Sequence, residues 1–257
     1  MSPHRVKHPV DNAPGPGGER IQGAVVRRGD QHAGATTDER LLADQTEGWR
    51  HTDPWRIMRI QSEFVEGFDA LAEIGPAVSI FGSARTSPAH PMYQAAERLG
   101  AELTRRGRAV VTGGGPGIME AANRGADLAG GVSVGLGIEL PYEASMNRHV
   151  NLGINFRYFF ARKVMFLKYA QGFIVMPGGF GTFDELFEAL TLSQTGKVLH
   201  FPVVLFGRDY WGGLVDWLRE RALADGYLAP ADLDMFLVTD DEQEALRHVL
   251  GEGAERA

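Results

Sequence analysis

A carboxylate, Glu185, closes the glycine-rich stretch Met176-Pro177-Gly178-Gly179-Phe180-Gly181-Thr182-Phe183-Asp184-Glu185, and two adjacent cations, Arg162 and Lys163, stand in the apolar segment before it. These residue types suit binding of a phosphorylated ligand with acid–base work beside it. Gly178, Gly179 and Gly181 have no Cβ, so the backbone there can turn sharply and approach a ligand closely. The free N–H groups of a following helix would point into such a loop and favour a phosphate. Thr182 is placed as a helix N-cap, and Glu185 lies three residues on, where a capping box puts its acid. The spacing therefore leaves Glu185 two roles, a structural cap and a reacting carboxylate. Arg162 and Lys163 also have two readings. Their stems can lie along apolar surface with the charged heads in solvent, or they can meet an anion at the loop, Arg162 as a planar fork and Lys163 as a point charge. Asp184, Glu188 and Glu120 read as helix-face or first-turn acids.

A second glycine run, Gly113-Gly114-Gly115-Pro116-Gly117, follows the apolar Ala109-Val110-Val111-Thr112. It fails the dinucleotide pattern G-x-G-x-x-G/A, because position 118 is Ile118. The P-loop pattern fails as well, since the Gly196-Lys197 pair is followed by Val198. Two glycine loops after buried strands point to a nucleotide or sugar-phosphate ligand. Ser83, Gly114 and Gly115 join Gly178, Gly179 and Gly181 as candidate contacts. The 8 histidines show no H-E-x-x-H or other ligand spacing, so no metal site is expected.

The elements that must carry these residues are legible as alternating apolar runs and amphipathic helices. Strands are expected at Ala77–Ser83, Ala109–Thr112, Val132–Leu136, Phe173–Val175, Pro202–Phe206 and Met235–Val238. Helices are expected at Pro91–Arg106, Pro116–Leu128, Arg157–Gln171, from Leu186, at Trp211–Ala224 and from Asp241. Residues Ile138 to Glu143 are expected to form a loop. Because the strands are nearly all apolar rather than alternating, the fold class is α/β, a parallel sheet with helices on both faces. Ligands in such sheets sit at the carboxyl ends of the strands, where both loops fall. Residues 1–40 hold ten glycines and prolines with few large apolar side chains, so a disordered tail is expected there. Residues 41–257 form one domain, in which apolar side chains from Trp55 to Leu71 recur at threes and fours, marking a helical extension over 41–74.

The net charge of -7 argues against a nucleic-acid surface. No apolar run approaches the roughly 20 residues of a membrane span. With no cysteine and no apolar signal segment, a cytoplasmic protein is expected.

The stretch Pro177 to Glu185 resembles the P-G-G-x-G-T-x-x-E signature of the LOG ("Lonely guy") proteins, cytokinin riboside 5'-monophosphate phosphoribohydrolases, and Arg162-Lys163 matches their paired basic residues. The resemblance runs from about Ala77 through Phe206. The stretch from Gly113 to Asn123 is similar to the longer bacterial members. It implies a Rossmann-like three-layer fold, a homodimer or a higher oligomer built from dimers, and hydrolysis of the N-glycosidic bond of an AMP-like nucleotide without a cofactor. By motif position it makes Arg162 and Glu185 the catalytic pair. Gly179, Phe180, Gly181 and Thr182 would hold the phosphate, and Lys163, Thr191 and, less directly, Glu143 would contact the nucleotide. Related proteins carry a lysine decarboxylase label, but no pyridoxal phosphate lysine motif is present. A non-enzymatic nucleotide or molybdenum-cofactor carrier is the alternative on the same fold.

Overall fold

A computed structural model describes residues 19–22, 25–28, 38, 53–139, 146–197 and 201–252. In chain order the elements are β1 (Glu19–Gln22), β2 (Val25–Arg28), α1 (Asp53–Leu71), β3 (Ala77–Phe81), α2 (Pro91–Arg105), β4 (Ala109–Thr112), α3 (Ile118–Leu128), β5 (Ser133–Ile138) and β6 (Leu152–Phe156). There follow α4 (Phe159–Tyr169), β7 (Ala170–Val175), α5 (Phe180–Gln194), β8 (Val203–Phe206), α6 (Arg208–Trp217), β9 (Phe236–Thr239) and α7 (Glu242–Val249). Seven strands pair in parallel in the order β6-β5-β4-β3-β7-β8-β9. The chain winds outward from β3 in one direction through β6, then from β7 in the other. The β3/β7 boundary is therefore the topological switch point.

Side chains alternate across each strand, so both faces of the sheet bury apolar groups. Phe81, Val111, Val175 and Leu205 face a core closed by α1, α4, α5 and α6, while Ile80, Val110, Ile174 and Val204 face one closed by α2, α3 and α7. This is the three-layer α/β fold expected. Among the described residues no helix is long and apolar enough to cross a membrane.

Several boundaries differ from expectation: Ile138, expected to open a loop, ends β5, and the helix expected from Leu186 starts at Phe180. The edge strand β6 occupies a stretch not read as a strand, because Leu152–Phe156 is only partly buried and mixes Gly153 and Asn155 with apolar residues. The helix expected over 157–171 stops at Tyr169, since Ala170 turns extended (φ -83°, ψ 140°) and opens β7. Helix α6 begins at Arg208, three residues before Trp211, where Gly207 takes a positive φ of 111° and Asp240 accepts the Arg208 N–H. Within the tail expected at 1–40, β1 and β2 pair antiparallel; much of that segment lies outside the described residues.

Helices α2 and α3 approach so closely that a Cβ on Gly125 would overlap the Glu97 carbonyl, and one on Gly100 the Ala122 carbonyl. That contact seats α3, which follows the second glycine loop. Gly125→Ala should lower the melting temperature by roughly 2–12 °C, the loss expected when overpacking costs about 1–3 kcal/mol. Calorimetry checks this, and an unchanged melting temperature would contradict the close approach.

Candidate active site

A cleft of about 940 Å³ opens at the carboxyl ends of β3, β4 and β7, at the switch point. Its wall includes Ser83, the Gly113–Gly115 loop, Arg162, the Pro177–Thr182 loop and Glu185. The volume suits a small organic ligand.

Of the glycines in the loop after β7, Gly178 is the one that packing requires, while Gly179 and Gly181 face open space. A Cβ on Gly178 would collide with the Thr182 hydroxyl. Gly179, in extended conformation, is the N-cap of α5, which starts at Phe180. The N-cap expected at Thr182 is thus corrected by three residues: Thr182 lies inside the first turn and its N–H donates to Gly179 O at 2.9 Å. Glu185 accordingly sits in the second turn, too far along for a capping box. The N–H groups of Phe180 and Gly181, which open the helix, have no carbonyl one turn back, and both residues line the cleft, where the Phe180 ring is exposed. Two donors from α6 hold this loop: Trp211 Nε1–H donates to Val175 O at 3.2 Å, and Tyr210 O–H to Gly178 O.

The second loop rests on a buried polar network. Thr112 Oγ1 donates to Asn123 Oδ1 at 2.6 Å and accepts the Gly114 N–H at 2.9 Å. Asn123 Nδ2 donates to Ser133 Oγ at 2.9 Å, and Asn147 Nδ2 to Gly114 O and Gly115 O, each at 3.1 Å. Gly114 (φ 74°) and Gly117 (φ 68°) take left-handed conformations that other residues adopt at a cost.

Arg162 rises from the first turn of α4. Its guanidinium carbon lies 5.2 Å from the Phe166 ring centroid and 5.7 Å from that of Phe159, arrangements that favour a cation over the ring face. A terminal nitrogen packs 3.3 Å from where a Gly113 Cβ would be. The cation is thereby held between aromatic rings and the second glycine loop. Glu185 is 4 % exposed. Burial pushes its carboxyl from 4.5 up to about 7 against the pull of Arg162 and Lys163, and the neighbouring Glu188 and Asp184 charges add to the rise. A carboxyl with that value exchanges a proton near neutrality.

Of the expected site residues, Ser83, Gly114, Gly115, Arg162, Gly178, Gly179, Phe180, Gly181, Thr182 and Glu185 meet at the cleft. Lys163 and Thr191 do not line it. Lys163 Nζ donates to Asp184 Oδ1 at 2.9 Å and lies 2.8 Å from Glu188 Oε2, which together answer its charge. Asp184 and Glu188 lie on α5 as helix-face acids and pair with Lys163. Thr191, exposed on α5, donates its hydroxyl to Phe187 O. Glu143 lies outside the described residues. Residues that the sequence reading did not single out include Tyr210, Asn147 and Asn123. Asn123 left a signal, because an amide within an alanine-rich helical stretch must find partners if it is buried.

Residues 119–249 match a family described as "Possible lysine decarboxylase". The chain is 34% identical over 167 residues to a "Cytokinin riboside 5'-monophosphate phosphoribohydrolase" of Mycobacterium tuberculosis, covering 63% of this chain and 87% of the relative. A protein of the same name from Mycobacterium marinum is 32% identical over 165 residues, with the same two coverages. Among solved structures, the molybdenum cofactor carrier protein of Chlamydomonas reinhardtii superposes with a TM-score of 0.51 at 22% identity, covering 70% of this chain and 99% of that one. The structural-genomics target TM1055 gives 0.53 at 23%, covering 68% and 99%. Both likenesses concern the fold.

The raised value at Glu185 has a consequence for stability. The folded state holds this proton more tightly than the unfolded chain, so stability is greatest below about pH 4.5 as far as this group is concerned, and it is lost as pH rises through about 7. Glutamine keeps the shape of the protonated acid and does not ionise. Glu185→Gln should therefore change stability little near pH 4.5 and increase it near pH 8, by on the order of 3 kcal/mol. Melting curves at both pH values check this; equal gains at both would mean ionisation is not responsible.

Proposed function

The chain belongs to the LOG family, and on that premise we propose that it hydrolyses the N-glycosidic bond of a nucleoside 5'-monophosphate, AMP or an N6-substituted relative, to free base and ribose 5-phosphate. The observation that carries this reading is the buried Glu185 carboxyl in the same cleft wall as the first turn of α5 and the Arg162 guanidinium. The phosphate sits at that helix start, on the N–H groups of Gly179, Phe180 and Gly181 and the Thr182 hydroxyl. Ser83 and the Gly114-Gly115 backbone line the ribose.

As the bond from C1' to the base nitrogen lengthens, positive charge develops on the sugar, and ionised Glu185 stabilises it. The carboxylate also takes a proton from the attacking water as the new C1'–O bond forms. The old bonding pair leaves with the base, which takes up a proton. Arg162 stays charged and donates a hydrogen bond to the departing base. Assembly as dimers fits the exposed Phe160, Val164 and Phe187 on α4 and α5. The competing reading, a non-enzymatic carrier on a shared fold, would be selected by tight nucleotide binding with no base released.

Purified protein given AMP, GMP, CMP and isopentenyl-AMP should release base and ribose 5-phosphate from the adenine nucleotides. Glu185→Ala should lower kcat by about 10²–10⁴-fold, and retained turnover in this variant would remove Glu185 from the reaction. Because the carboxylate is the working form, kcat/KM should rise about tenfold per pH unit below the carboxyl's value of about 7 and level off above it. A flat profile through neutrality would sink this role.

A further inference from the structure

Helix α4 begins without a capping side chain of its own; Tyr158 at its N-cap makes no such bond. The missing acceptors come from a remote part of the chain. Glu63 of α1, only 2 % exposed, accepts the Arg157 N–H at 2.8 Å and the Tyr158 N–H at 3.2 Å, and lies 3.3 Å from Arg157 Nη1. Asp38 Oδ2 accepts the next N–H, that of Phe159, at 3.2 Å. Two carboxylates from the chain before β3, Asp38 and Glu63, thus close the start of the helix that carries Arg162.

The placement bears on the cleft through a short chain of contacts. Phe159 is the first residue of α4, lines the cleft and flanks the Arg162 guanidinium. The Arg162 N–H donates to Tyr158 O at 3.3 Å, so the backbone that Glu63 grips also sets where the arginine leaves the helix. A cation in the first turn opposes the positive end of the helix dipole, and a buried carboxylate at that end offsets the opposition. Core packing of α1 alone would need no charge at position 63. A buried carboxylate persists when its acceptor capacity is used.

We propose that Glu63 is a positioning residue for Arg162, an N-cap supplied by α1 that holds the guanidinium against the Gly113 loop; its catalytic consequence rests on the phosphoribohydrolase reading. In Glu63→Ala, kcat should fall about tenfold or more with KM changed less than about threefold, and Glu63→Gln, which keeps an acceptor but not the charge, should fall between this variant and wild type. Leu71→Val, a core change in the same helix, should lower the melting temperature and leave kcat intact. In an Arg162→Ala background, Glu63→Ala should change kcat by less than about twofold, because the two act in series. Equal losses in both backgrounds, or a matching kcat loss in Leu71→Val, would overturn the proposal. A readout free of turnover is the Arg162 side-chain Nε–H resonance, identified by its loss in Arg162→Lys. It should shift in Glu63→Gln and stay in place in Leu71→Val, and an unmoved resonance in Glu63→Gln would also overturn the proposal. If wild type hydrolyses none of the nucleotides, the functional reading fails and the resonance alone decides the positioning.

Discussion

One residue, Ser83, ties the cleft together through its backbone. The Ser83 N–H donates to Pro177 O, and the Ser83 carbonyl accepts the Ile118 N–H, both at 3.0 Å. The first bond joins the turn after β3 to the loop after β7; the second joins it to the helix that follows the loop after β4. Three segments far apart in sequence are thereby fixed at one point. The fixing depends on missing side chains. A Cβ on Gly117 would overlap the Ser83 carbonyl, and one on Gly82 would come within 2.6 Å of Ile118 Cγ2. The glycines thus have a packing reason as well as a ligand-facing one, and the two cannot be separated by counting glycines.

Given that frame, the electrostatics follow from burial. Glu185 is buried in the cleft wall, which raises the cost of its charge. Arg162, on the adjoining helix, lowers that cost without cancelling it, and the result is a carboxyl that titrates near neutrality. Lys163 takes no comparable place. Burial works against its charge, yet hydrogen bonding to Glu188 and Asp184 holds its pKa above the usual lysine value. Adjacent residues on a helix point about 100° apart, so one of the two cations can face the cleft while its neighbour serves the contact between α4 and α5.

Much of the fold was legible because apolar runs interrupted by glycine loops encode buried parallel strands directly. The loops after β4 and β7, and Arg162 with Glu185, were legible for the same reason: their residue types are costly unless a ligand or a close approach explains them. Less visible was the edge strand β6, whose partial burial removes the apolar signature. Thr182 was mistaken for a cap because threonine has a capping preference, whereas Gly179 could take the position with backbone alone. Glu63 and Tyr210 left no local trace, since their partners at Arg157 and Gly178 are fixed by how helices stack on the sheet.

The sequence by itself determined the class of fold, the two glycine loops and the pair of charged residues, because propensity, periodicity and Cβ-free backbone are local properties. Only the tertiary structure removed the capping-box role from Glu185 and showed its carboxyl buried, since burial and helix position are set by the whole packed sheet. It also separated Arg162 from Lys163 and brought a carboxylate from α1 to the start of α4. Those outcomes are distances across the fold, and spacing along the chain does not contain them.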